Sequence, residues 1–290
     1  MIEYLIGVDG GGTGTRVRVA RPDGTEIGRG SAGPSGLMHG IVNAWNAVLA
    51  AIDQAFAEAH ITRPVLGKMA IGLGLAGVHN PQWAAEFVEK NPGFGAIDVE
   101  TDAFCTLLGA HLGEPGAIVA IGTGSVGEAL LADGTRIEVG GWGFPASDEA
   151  SGAWMGLHAI NHAQRVLDGR RAADDFARAV ILTCGGDRAG LQIWLGQASQ
   201  TAYAQLAPLV IEYAPASNVA RALMVKAGEE IAEMARALDA GGRLPIALCG
   251  GLAVPLIDHL PAQLRARVIK PQADAAAGAL QLIRQRLKRQ

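Results

Sequence analysis

The residues Ile6-Gly-Val-Asp-Gly-Gly-Gly-Thr-Gly-Thr15 carry the strongest local signal in this sequence of 290 residues. The apolar run from Tyr4 to Asp9 stops at the glycine cluster. From Arg16 to Ala20, arginines alternate with apolar residues before the turn Pro22-Asp23-Gly24. Short apolar runs bounded by glycine, proline and aspartate are typical of strands. The pattern therefore predicts a strand, a glycine turn, a second strand and a second turn.

The same pattern recurs in the middle of the chain. The apolar run from Ala117 to Ile121 is followed by the turn Gly122-Thr-Gly-Ser125 and by a further strand pattern from Glu128 to Leu131. Both copies then continue as Thr-x-Ile, at Thr25 and at Thr135, which are 110 residues apart. Solenoid units are only about 20–50 residues long, so a repeat at this spacing indicates two similar halves.

Helical and strand patterns alternate along the rest of the chain. Apolar residues at helical spacing predict helices over 41–60, 81–88, 103–112, 153–167, 171–183, 191–206, 218–238 and 274–287. Further strands are predicted over 65–75, 97–101 and 244–249. Strands that alternate with helices indicate an α/β fold, and the second half is the richer in helix.

The composition excludes several classes of protein. At about 150 residues per domain, the length favours two domains, and 49% hydrophobic residues are enough for a large core. The 24 basic and 28 acidic residues are spread along the chain without a basic stripe, so nucleic acid is not an expected partner. No apolar stretch has the length of a membrane span, and Cys105, Cys184 and Cys249 form no CxxC pair. We therefore expect a cytoplasmic protein without a membrane partner.

The glycine cluster after the first strand suits a bound phosphate. Gly10, Gly11 and Gly12 let backbone N–H groups approach an anion without an obstructing Cβ, and the hydroxyls of Thr13 and Thr15 can add hydrogen bonds. The segment is neither a Walker loop, which ends in Gly-Lys-Ser or Gly-Lys-Thr, nor the dinucleotide motif GxGxxG, which opens a helix. The alternative is a tight hairpin turn that needs glycine for its geometry alone.

Asp9, at the end of the preceding strand, favours the phosphate over the plain turn. A carboxylate there is well placed to hold Mg²⁺ through water, as phosphoryl transfer requires. A second glycine-hydroxyl turn, Gly122-Thr123-Gly124, adds to the signal because two such turns can grip the phosphates of a nucleotide from both sides. Gly250-Gly251 leaves a flat surface for adenine or ribose, although a plain strand-to-helix turn also explains that pair.

Two further segments are candidates for a substrate site. Asp102 follows a predicted strand, where it is expected to cap the next helix, and the helix dipole would favour its ionised form. The loop Gly140-Gly-Trp-Gly-Phe-Pro145 and the following Ser147-Asp-Glu149 offer aromatic surface and two carboxylates that could accept hydrogen bonds from sugar hydroxyls. The alternatives are a plain N-cap for Asp102 and an ordinary surface loop for the second segment.

Taken in order along the chain, these motifs resemble those of one family. The set comprises Ile6-Gly-Val-Asp-Gly-Gly-Gly-Thr13, Thr101-Asp-Ala103, Gly122-Thr-Gly-Ser125, Gly140-Gly-Trp-Gly143 with Ser147-Asp-Glu149, Cys249-Gly-Gly251 and Asp274-Ala-Ala-Ala-Gly-Ala279. It resembles the bacterial glucosamine kinases and the related N-acetylglucosamine kinases, in the BadF/BadG/BcrA/BcrD branch of the actin-like ATPase superfamily. The resemblance covers essentially the full length of the chain.

The resemblance implies a fold of two actin-like (ribonuclease H-like) ATPase domains, with ATP and sugar in an interdomain cleft. Residues 1–104 and the C-terminal helix 275–290 would form the N-terminal domain, and residues 105–274 would form the C-terminal domain. The implied cofactors are ATP and Mg²⁺. The family also implies a homodimer.

The resemblance further assigns roles to single residues. Asp102 would be the catalytic base, and Asp9 would organise Mg²⁺. The nucleotide would contact the three glycine turns at Gly10, Gly11, Gly12, Thr13, Thr15, Gly122, Thr123, Gly124, Gly250 and Gly251. The sugar would contact Ser35, Gly36, Asp102, Gly141 and Asp148. The chain departs from its relatives at Gly36, where they commonly carry Asn, and at Glu149-Ala-Ser151, where they are richer in glycine.

The implied activity is transfer of the γ-phosphate of ATP to the 6-hydroxyl of glucosamine, a small-molecule amino sugar. N-acetylglucosamine is the alternative substrate within the same fold. A second alternative is an iron–sulfur activator ATPase of the BadF/BadG type, which needs cysteines arranged to ligate a cluster, and no second cysteine accompanies Cys105 near a motif. A third is a sugar-sensing protein that retains the fold without catalysis.

Overall fold

The computed structural model describes residues 1–289 of the protein, which separate into two compact units. The first unit comprises Met1–Gly116, Leu130–Gly134 and the chain from Lys270 onward, and the second comprises Ala117–Ala129 and Thr135–Ile269. Each unit contains a five-stranded sheet with helices, so the α/β class is confirmed. The domain limits expected from the sequence stay a prediction.

The elements of the described chain are given in chain order. The strands are β1 (Tyr4–Gly10), β2 (Thr15–Ala20), β3 (Glu26–Ala32), β4 (Met69–Leu75), β5 (Ala96–Glu100), β6 (Gly116–Ile121), β7 (Ser125–Leu130), β8 (Arg136–Gly140), β9 (Ile246–Cys249) and β10 (Val268–Ile269). The helices are α1 (Ile41–Glu58), α2 (Pro81–Glu89), α3 (Asp102–Ala110), α4 (Gly152–Leu167), α5 (Asp175–Thr183), α6 (Arg188–Gln197), α7 (Gln200–Ala204), α8 (Ala207–Tyr213), α9 (Asn218–Leu238), α10 (Ala253–Leu256), α11 (Ala262–Arg265) and α12 (Ala275–Lys288). Over residues 1–289, none of these helices has both the length and the apolar character of a membrane span.

The first sheet has the strand order β3-β2-β1-β4-β5. Its strands β1, β2 and β3 pair antiparallel, whereas β1, β4 and β5 run parallel. Parallel strands point the same way, so β1, β4 and β5 all end at one edge of the sheet. This carboxyl edge is where ligands bind in open α/β sheets.

Alternation along β1 directs successive side chains to two different helices. Ile6 and Val8 pack in the core with α1, whereas Leu5 packs in a second cluster with residues of α12. Gly7 lies on the α12 side, and a Cβ there would overlap the carbonyl oxygen of Ala276. The helix therefore approaches the strand as closely as a residue without a side chain allows.

Strand β3 was not predicted from the sequence, and its glycines explain why. Glycine is depleted in strands, so Glu-Ile-Gly-Arg-Gly-Ser-Ala gives a weak strand signal. In the structure, a Cβ at Gly30 would overlap the carbonyl oxygen of Ala51 in α1. Close packing against this helix therefore requires the residue that weakens the strand pattern.

The second sheet repeats the topology of the first. Its strand order is β10-β9-β6-β7-β8, with β9 parallel to both β6 and β10. In this order β6, β7 and β8 take the places of β1, β2 and β3, and β9 and β10 take those of β4 and β5. The repeat found in the sequence therefore corresponds to two units with the same arrangement of strands.

Three predicted elements differ most from the observed ones. The helix predicted over 171–183 begins only at Asp175, because the Asp174 side chain caps it. The helix predicted over 191–206 is two helices, α6 and α7, and Ser199 caps the second. The strand predicted over 65–75 begins at Met69, after a single 3₁₀ turn at Leu66–Lys68. In the two helical cases a polar side chain satisfies the first N–H groups and sets the start.

Candidate active site

Two carboxylates that were predicted to be functional lie at the carboxyl edge of the first sheet. Asp9 is the last residue but one of β1, and Asp102 begins α3, which follows β5 almost directly. Because β1 and β5 both run parallel to β4, the two chain segments leave the sheet on the same side. Asp102 is close enough for its charge to raise the pKa of Asp9.

Asp9 is a mostly buried carboxylate. Its pKa is raised from 3.8 to about 6, mainly by burial and in addition by the charges of Asp102 and Asp274. Arg16 acts in the opposite direction, since its Nη1 lies 3.4 Å from Asp9 Oδ2. A bound cation would relieve the remaining repulsion among these carboxylates.

The first glycine turn contains glycines that the fold does not require, among them Gly11 and Gly12. The turn is closed by a hydrogen bond from Gly11 N–H to Gly14 O at 2.9 Å. Neither Gly11 nor Gly12 has a positive φ, and a Cβ on either would meet no atom nearer than 3.7 Å. Because a side chain would fit at both positions, their glycines are better explained by close approach of a ligand to the backbone. This favours the phosphate interpretation over a plain hairpin turn.

Gly10, Thr15 and Ser35, by contrast, hold a neighbouring loop in place. Thr15 Oγ1 lies 2.6 Å from Gly33 O and 2.7 Å from Ser35 Oγ. Because a carbonyl oxygen only accepts, Thr15 donates its proton to Gly33 O and accepts one from Ser35. A Cβ at Gly10 would overlap the Ser35 hydroxyl. The ligand contacts assigned to these three residues stay predictions.

The loop that follows Ser35 returns to the first glycine turn. Gly36 N–H donates to Gly11 O at 3.0 Å, and the ring Nε2 of His39 lies 3.2 Å from Gly12 O. Met38 Sδ lies 2.6 Å from the position that a Cβ on Gly36 would take. The flexible Met38 side chain therefore occupies the space that a larger residue at position 36 would fill.

Asp102 is the first residue of α3 and does not cap it. The cap is Thr101, whose hydroxyl accepts a hydrogen bond from Phe104 N–H at 3.0 Å, so the predicted N-cap role of Asp102 is wrong. The Asp102 carboxylate instead accepts from Ala103 N–H at 3.0 Å. Burial raises the pKa of Asp102, whereas that hydrogen bond and the charge of His79 lower it. A buried carboxylate with a raised pKa has the properties of a general base.

The second glycine turn joins β6 to β7 in the second unit. Gly122 N–H donates to Gly124 O at 2.9 Å, so a backbone hydrogen bond closes this turn as one closes the first, but here it spans one residue fewer. Gly122 has no positive φ, and no atom lies within 4 Å of its Cβ position. Behind the turn, the start of α4 donates from Gly152 N–H to Gly122 O and from Ala153 N–H to Thr123 O. Hydrogen bonds to its carbonyl groups therefore hold this turn in place, as they hold the first turn. Like the first turn, it contains a glycine with free space at its Cβ position.

Gly250-Gly251 follows β9, the parallel neighbour of β6. Gly250 has a φ of +90°, and a Cβ there would overlap Ile121 O, so the fold requires this glycine. Gly251 has an ordinary φ and no atom within 4 Å of its Cβ position. Leu252 N–H donates to Ile121 O at 3.2 Å, which places this turn beside the second glycine turn.

The segment predicted to hold the sugar has an exposed part and a buried part. Trp142 is 87% exposed, and the glycines within Gly140–Gly143 all have positive φ. Asp148 is only 4% exposed, and its carboxylate accepts hydrogen bonds from Ser125 N–H at 3.1 Å and from Gln200 Nε2 at 2.7 Å. This carboxylate is therefore directed at the second glycine turn. The sugar contacts assigned to Gly141 and Asp148 stay predictions.

Three residues near the turns were not predicted as part of the site. Arg16 could have been found, because a hairpin with its turn after Gly10 places Arg16 opposite Asp9. His39 and Gln200 belong to no motif. Gln200 is 52 positions from the carboxylate that it contacts, and such a contact is set by the packing of helices.

Comparison with known proteins agrees with the arrangement of these motifs. The sequence model of the BadF/BadG/BcrA/BcrD ATPase family matches residues 6–282, from the first strand to the last helix. The chain belongs to the BadF/BadG/BcrA/BcrD ATPase family. The resemblance inferred from the sequence motifs is thereby confirmed.

Individual proteins also match nearly the whole chain. The chain is 34% identical to glucosamine kinase GspK of Vibrio cholerae over 280 residues, which are 96% of this chain and 95% of that protein. It is 50% identical to a Chromobacterium violaceum protein whose structure is described as a candidate N-acetylglucosamine kinase, with a TM-score of 0.95 and coverage of 97% and 99%. A ROK hexokinase from Thermus thermophilus, 15% identical with a TM-score of 0.58 and coverage of 98% and 99%, shares the fold. The actin-like fold class is confirmed by these structures.

Proposed function

We propose that this member of the BadF/BadG/BcrA/BcrD ATPase family is an ATP-dependent amino-sugar kinase that phosphorylates the 6-hydroxyl of glucosamine. N-acetylglucosamine is the alternative acceptor, since relatives that match nearly the whole chain carry the two names. The observation that carries the proposal is the carboxyl edge of the first sheet, where parallel strands bring Asp102 to the same edge as Asp9 and its glycine turn. Phosphoryl transfer to a hydroxyl needs a base and a phosphate-holding backbone close together.

Asp102 is the proposed base. Its raised pKa makes it a better proton acceptor than an ordinary aspartate, while its place in the first turn of α3 favours the ionised form. It would accept the proton of the sugar 6-hydroxyl as that oxygen bonds to the γ-phosphorus. The bond from the γ-phosphorus to the bridging oxygen breaks in the same step, and ADP leaves.

The glycine turns are the proposed contacts of ATP. The direct contacts would be the glycines whose Cβ positions are open, namely Gly11, Gly12, Gly122 and Gly251. The neighbouring Thr13 and Thr123 are proposed contacts as well. The remaining members of the proposed set, Gly10, Thr15, Gly124 and Gly250, have packing roles that keep the turns in shape.

Mg²⁺ is the proposed metal, and Asp9 is the residue that would hold it. In phosphoryl-transfer sites Mg²⁺ takes one or two carboxylates and completes its shell with water and phosphate oxygens. Asp9 fits this donor set, because its carboxylate is 21% exposed at the sheet edge and repelled by two other carboxylates. When bound, the ion would neutralise charge on the phosphate oxygens.

The proposed sugar contacts, in addition to Asp102, are Ser35, Gly36, Gly141 and Asp148. Glucosamine in its protonated form carries a positive charge on the amino group at C2, whereas the acetylated nitrogen is neutral. Asp148 and the adjacent Glu149 act on each other as like charges, so a nearby ammonium would be favourable. This supports glucosamine over N-acetylglucosamine.

A coupled assay of ADP release tests the proposed function. The sugars are glucosamine, N-acetylglucosamine, glucose and none, and phosphorus NMR locates the phosphate on the product. We expect sugar-dependent release that is largest with glucosamine. Asp102→Asn should keep its affinity for ADP and lose about 100- to 10,000-fold in kcat. Glu114→Gln changes an exposed carboxylate of the same unit and is the control. Full activity of Asp102→Asn, or release that is independent of sugar, would contradict the proposal.

We also retain the expectation of a homodimer, which size-exclusion chromatography with light scattering would measure. The iron–sulfur alternative has no support from the positions of the cysteines. Cys105 and Cys184 are fully buried, and Cys105 belongs to a different unit from Cys184 and Cys249.

A further inference from the structure

The Asp148 carboxylate packs against the second glycine turn at two of its residues. Asp148 Oδ1 accepts the hydrogen bond from Ser125 N–H, and both carboxylate oxygens lie 2.9 Å from the position that a Cβ on Gly124 would take. The next carbonyl, Glu149 O, accepts a hydrogen bond from the Ser125 hydroxyl at 2.7 Å. The shape of the turn therefore depends on where this carboxylate is held.

The backbone that carries Asp148 is in a conformation that side chains disfavour. Asp148 has a φ of +68° and Ala150 has a φ of +66°, although neither is glycine. Non-glycine residues keep such a conformation only when surrounding contacts hold it, and it is concentrated at functional sites. The position of Asp148 therefore needs support from outside its own segment.

Gln200 supplies a hydrogen bond of this kind. Its Nε2 donates to Asp148 Oδ2 at 2.7 Å, on the oxygen that Ser125 does not use. Gln200 is the first residue of α7, and α7 lies directly on α4, because a Cβ at Gly156 would overlap the carbonyl oxygen of Tyr203. Close packing of the two helices thus sets the direction of the amide.

The neutral amide of Gln200 donates a hydrogen bond to the Asp148 carboxylate without adding a charge beside it. Burial raises the pKa of Asp148 and so does the charge of Glu149, whereas the hydrogen bonds from Ser125, Gln200 and Phe144 lower it. Glu149 is the titratable group whose charge raises the pKa of Asp148. Each carboxylate oxygen has two lone pairs, so Asp148 can accept a further hydrogen bond while these contacts persist.

We infer that Gln200 is a positioning residue that orients the Asp148 carboxylate. The Asp148 side chain, held in this way, both shapes the second glycine turn and contacts the sugar. The sugar part of the inference rests on the proposed function, whereas the nucleotide part rests on the geometry of the turn. Gln200 acts through Asp148 and is not itself a catalytic residue. Loss of its amide should therefore weaken both nucleotide binding and use of the sugar.

Two substitutions test this role. Gln200→Leu removes the donor, and we expect kcat/KM for glucosamine and affinity for Mg·ADP to fall about tenfold or more at every pH. Gln200→Glu places a second carboxyl group against Asp148. When protonated, this group can donate as the amide does, but when ionised it repels Asp148. Its activity should therefore approach that of the wild type near about pH 5 and fall steeply toward about pH 8.

Gln205→Glu is the matched control, because it makes the same charge change at the exposed end of α7. It should keep the pH profile and both affinities of the wild type, and circular dichroism checks that every variant is folded. Wild-type affinities and pH profile in Gln200→Glu would overturn the inference, even if Gln200→Leu does not fold. An equal pH effect in Gln205→Glu would overturn it too.

A failure of the proposed function is distinguishable from a failure of this inference. A wild-type protein without sugar-dependent ADP release would refute the proposed function, whereas the Mg·ADP affinities of the variants would still decide the role of Gln200.

Discussion

Asp9 and Arg16 are direct partners in the ladder between β1 and β2, and Asp9 Oδ2 lies 3.4 Å from Arg16 Nη1. Asp9 is mostly buried, whereas 75% of the Arg16 side chain is exposed. The exposed guanidinium therefore offsets only part of the cost of burying the carboxylate, and the pKa of Asp9 is still raised to about 6. A carboxylate kept at a cost to stability is typical of a functional position.

Asp9→Asn should stabilise the protein near neutral pH. The pKa of Asp9 is 3.8 in the unfolded chain and about 6 in the folded one, so the folded state binds the proton more tightly. Stability therefore falls as pH rises from about 4 to about 6, by up to about 3 kcal/mol, and stays low above that range. Asparagine resembles the neutral acid and avoids this loss. Thermal unfolding without nucleotide should show a higher Tm for Asp9→Asn at about pH 7.5 and little difference near pH 4.

The control for this measurement is Asp258→Asn, at an exposed aspartate, whose Tm should match that of the wild type at both pH values. The substitution of Asp9 should at the same time abolish turnover if this residue holds Mg²⁺. A Tm for Asp9→Asn below that of the wild type at neutral pH would contradict the prediction.

Arg16→Gln should move the pH at which the protein binds Mg·ADP. Asp9 must be ionised to hold the metal, so the affinity of the wild type should fall as pH decreases through about 6. Arg16 lowers the pKa of Asp9, and its removal should shift this midpoint to higher pH. Isothermal titration calorimetry across this range measures the midpoint, with Arg16→Lys as the control that keeps the charge. An equal loss of affinity at every pH would instead indicate that Arg16 contacts the nucleotide.

Gly278→Ala should destabilise the first unit, although alanine is the better helix former. A Cβ at Gly278 in α12 would overlap the carbonyl oxygen of Cys105 in α3, so the two helices would have to separate. Overpacking of this kind costs about 1–3 kcal/mol, which exceeds the gain of up to about 1 kcal/mol in helix propensity. Gly196→Ala in α6 is the matched control, because no atom lies within 4 Å of its Cβ position. In urea unfolding, the free energy of unfolding should decrease for Gly278→Ala and increase for Gly196→Ala. An increase for Gly278→Ala would contradict the prediction, because it would show that α3 and α12 leave room for a methyl group.

Thr15→Val should reduce the stability of the protein more than Thr15→Ser does. Valine keeps the shape of threonine but removes the hydroxyl that donates to Gly33 O and accepts from Ser35, and so leaves buried polar groups unpaired. Such a loss costs about 1–3 kcal/mol, whereas serine keeps both hydrogen bonds. The Tm of the valine variant should be lower than that of the wild type. Its affinity for Mg·ADP should fall as well, because the loop that contains Ser35 contacts the first glycine turn at Gly11. Equal stability of the two variants would mean that the hydroxyl pair contributes little.

Much of the fold could be predicted because its signals are local. The run before Asp9, the glycine turn and the alternation after Arg16 predict β1 and β2, and the observed strands agree within one residue. The helix predicted over 218–238 is observed with the same limits, since its apolar stripe is continuous. Strand β3 was missed because its glycines are required by close packing against a helix that lies later in the chain.

The candidate site divides in the same way. The sequence by itself determined the family and marked the glycine turns and the carboxylates Asp9, Asp102 and Asp148 as candidates, because residue type and spacing along the chain carry that information. Only the tertiary structure decided that Thr101 and not Asp102 caps α3, and that Asp148 is buried against the second glycine turn. It also decided which glycines are open and which are required by packing. The physical reason is that burial, hydrogen-bond partners and the space around a Cβ are set by segments far apart in sequence, which the folded chain brings together.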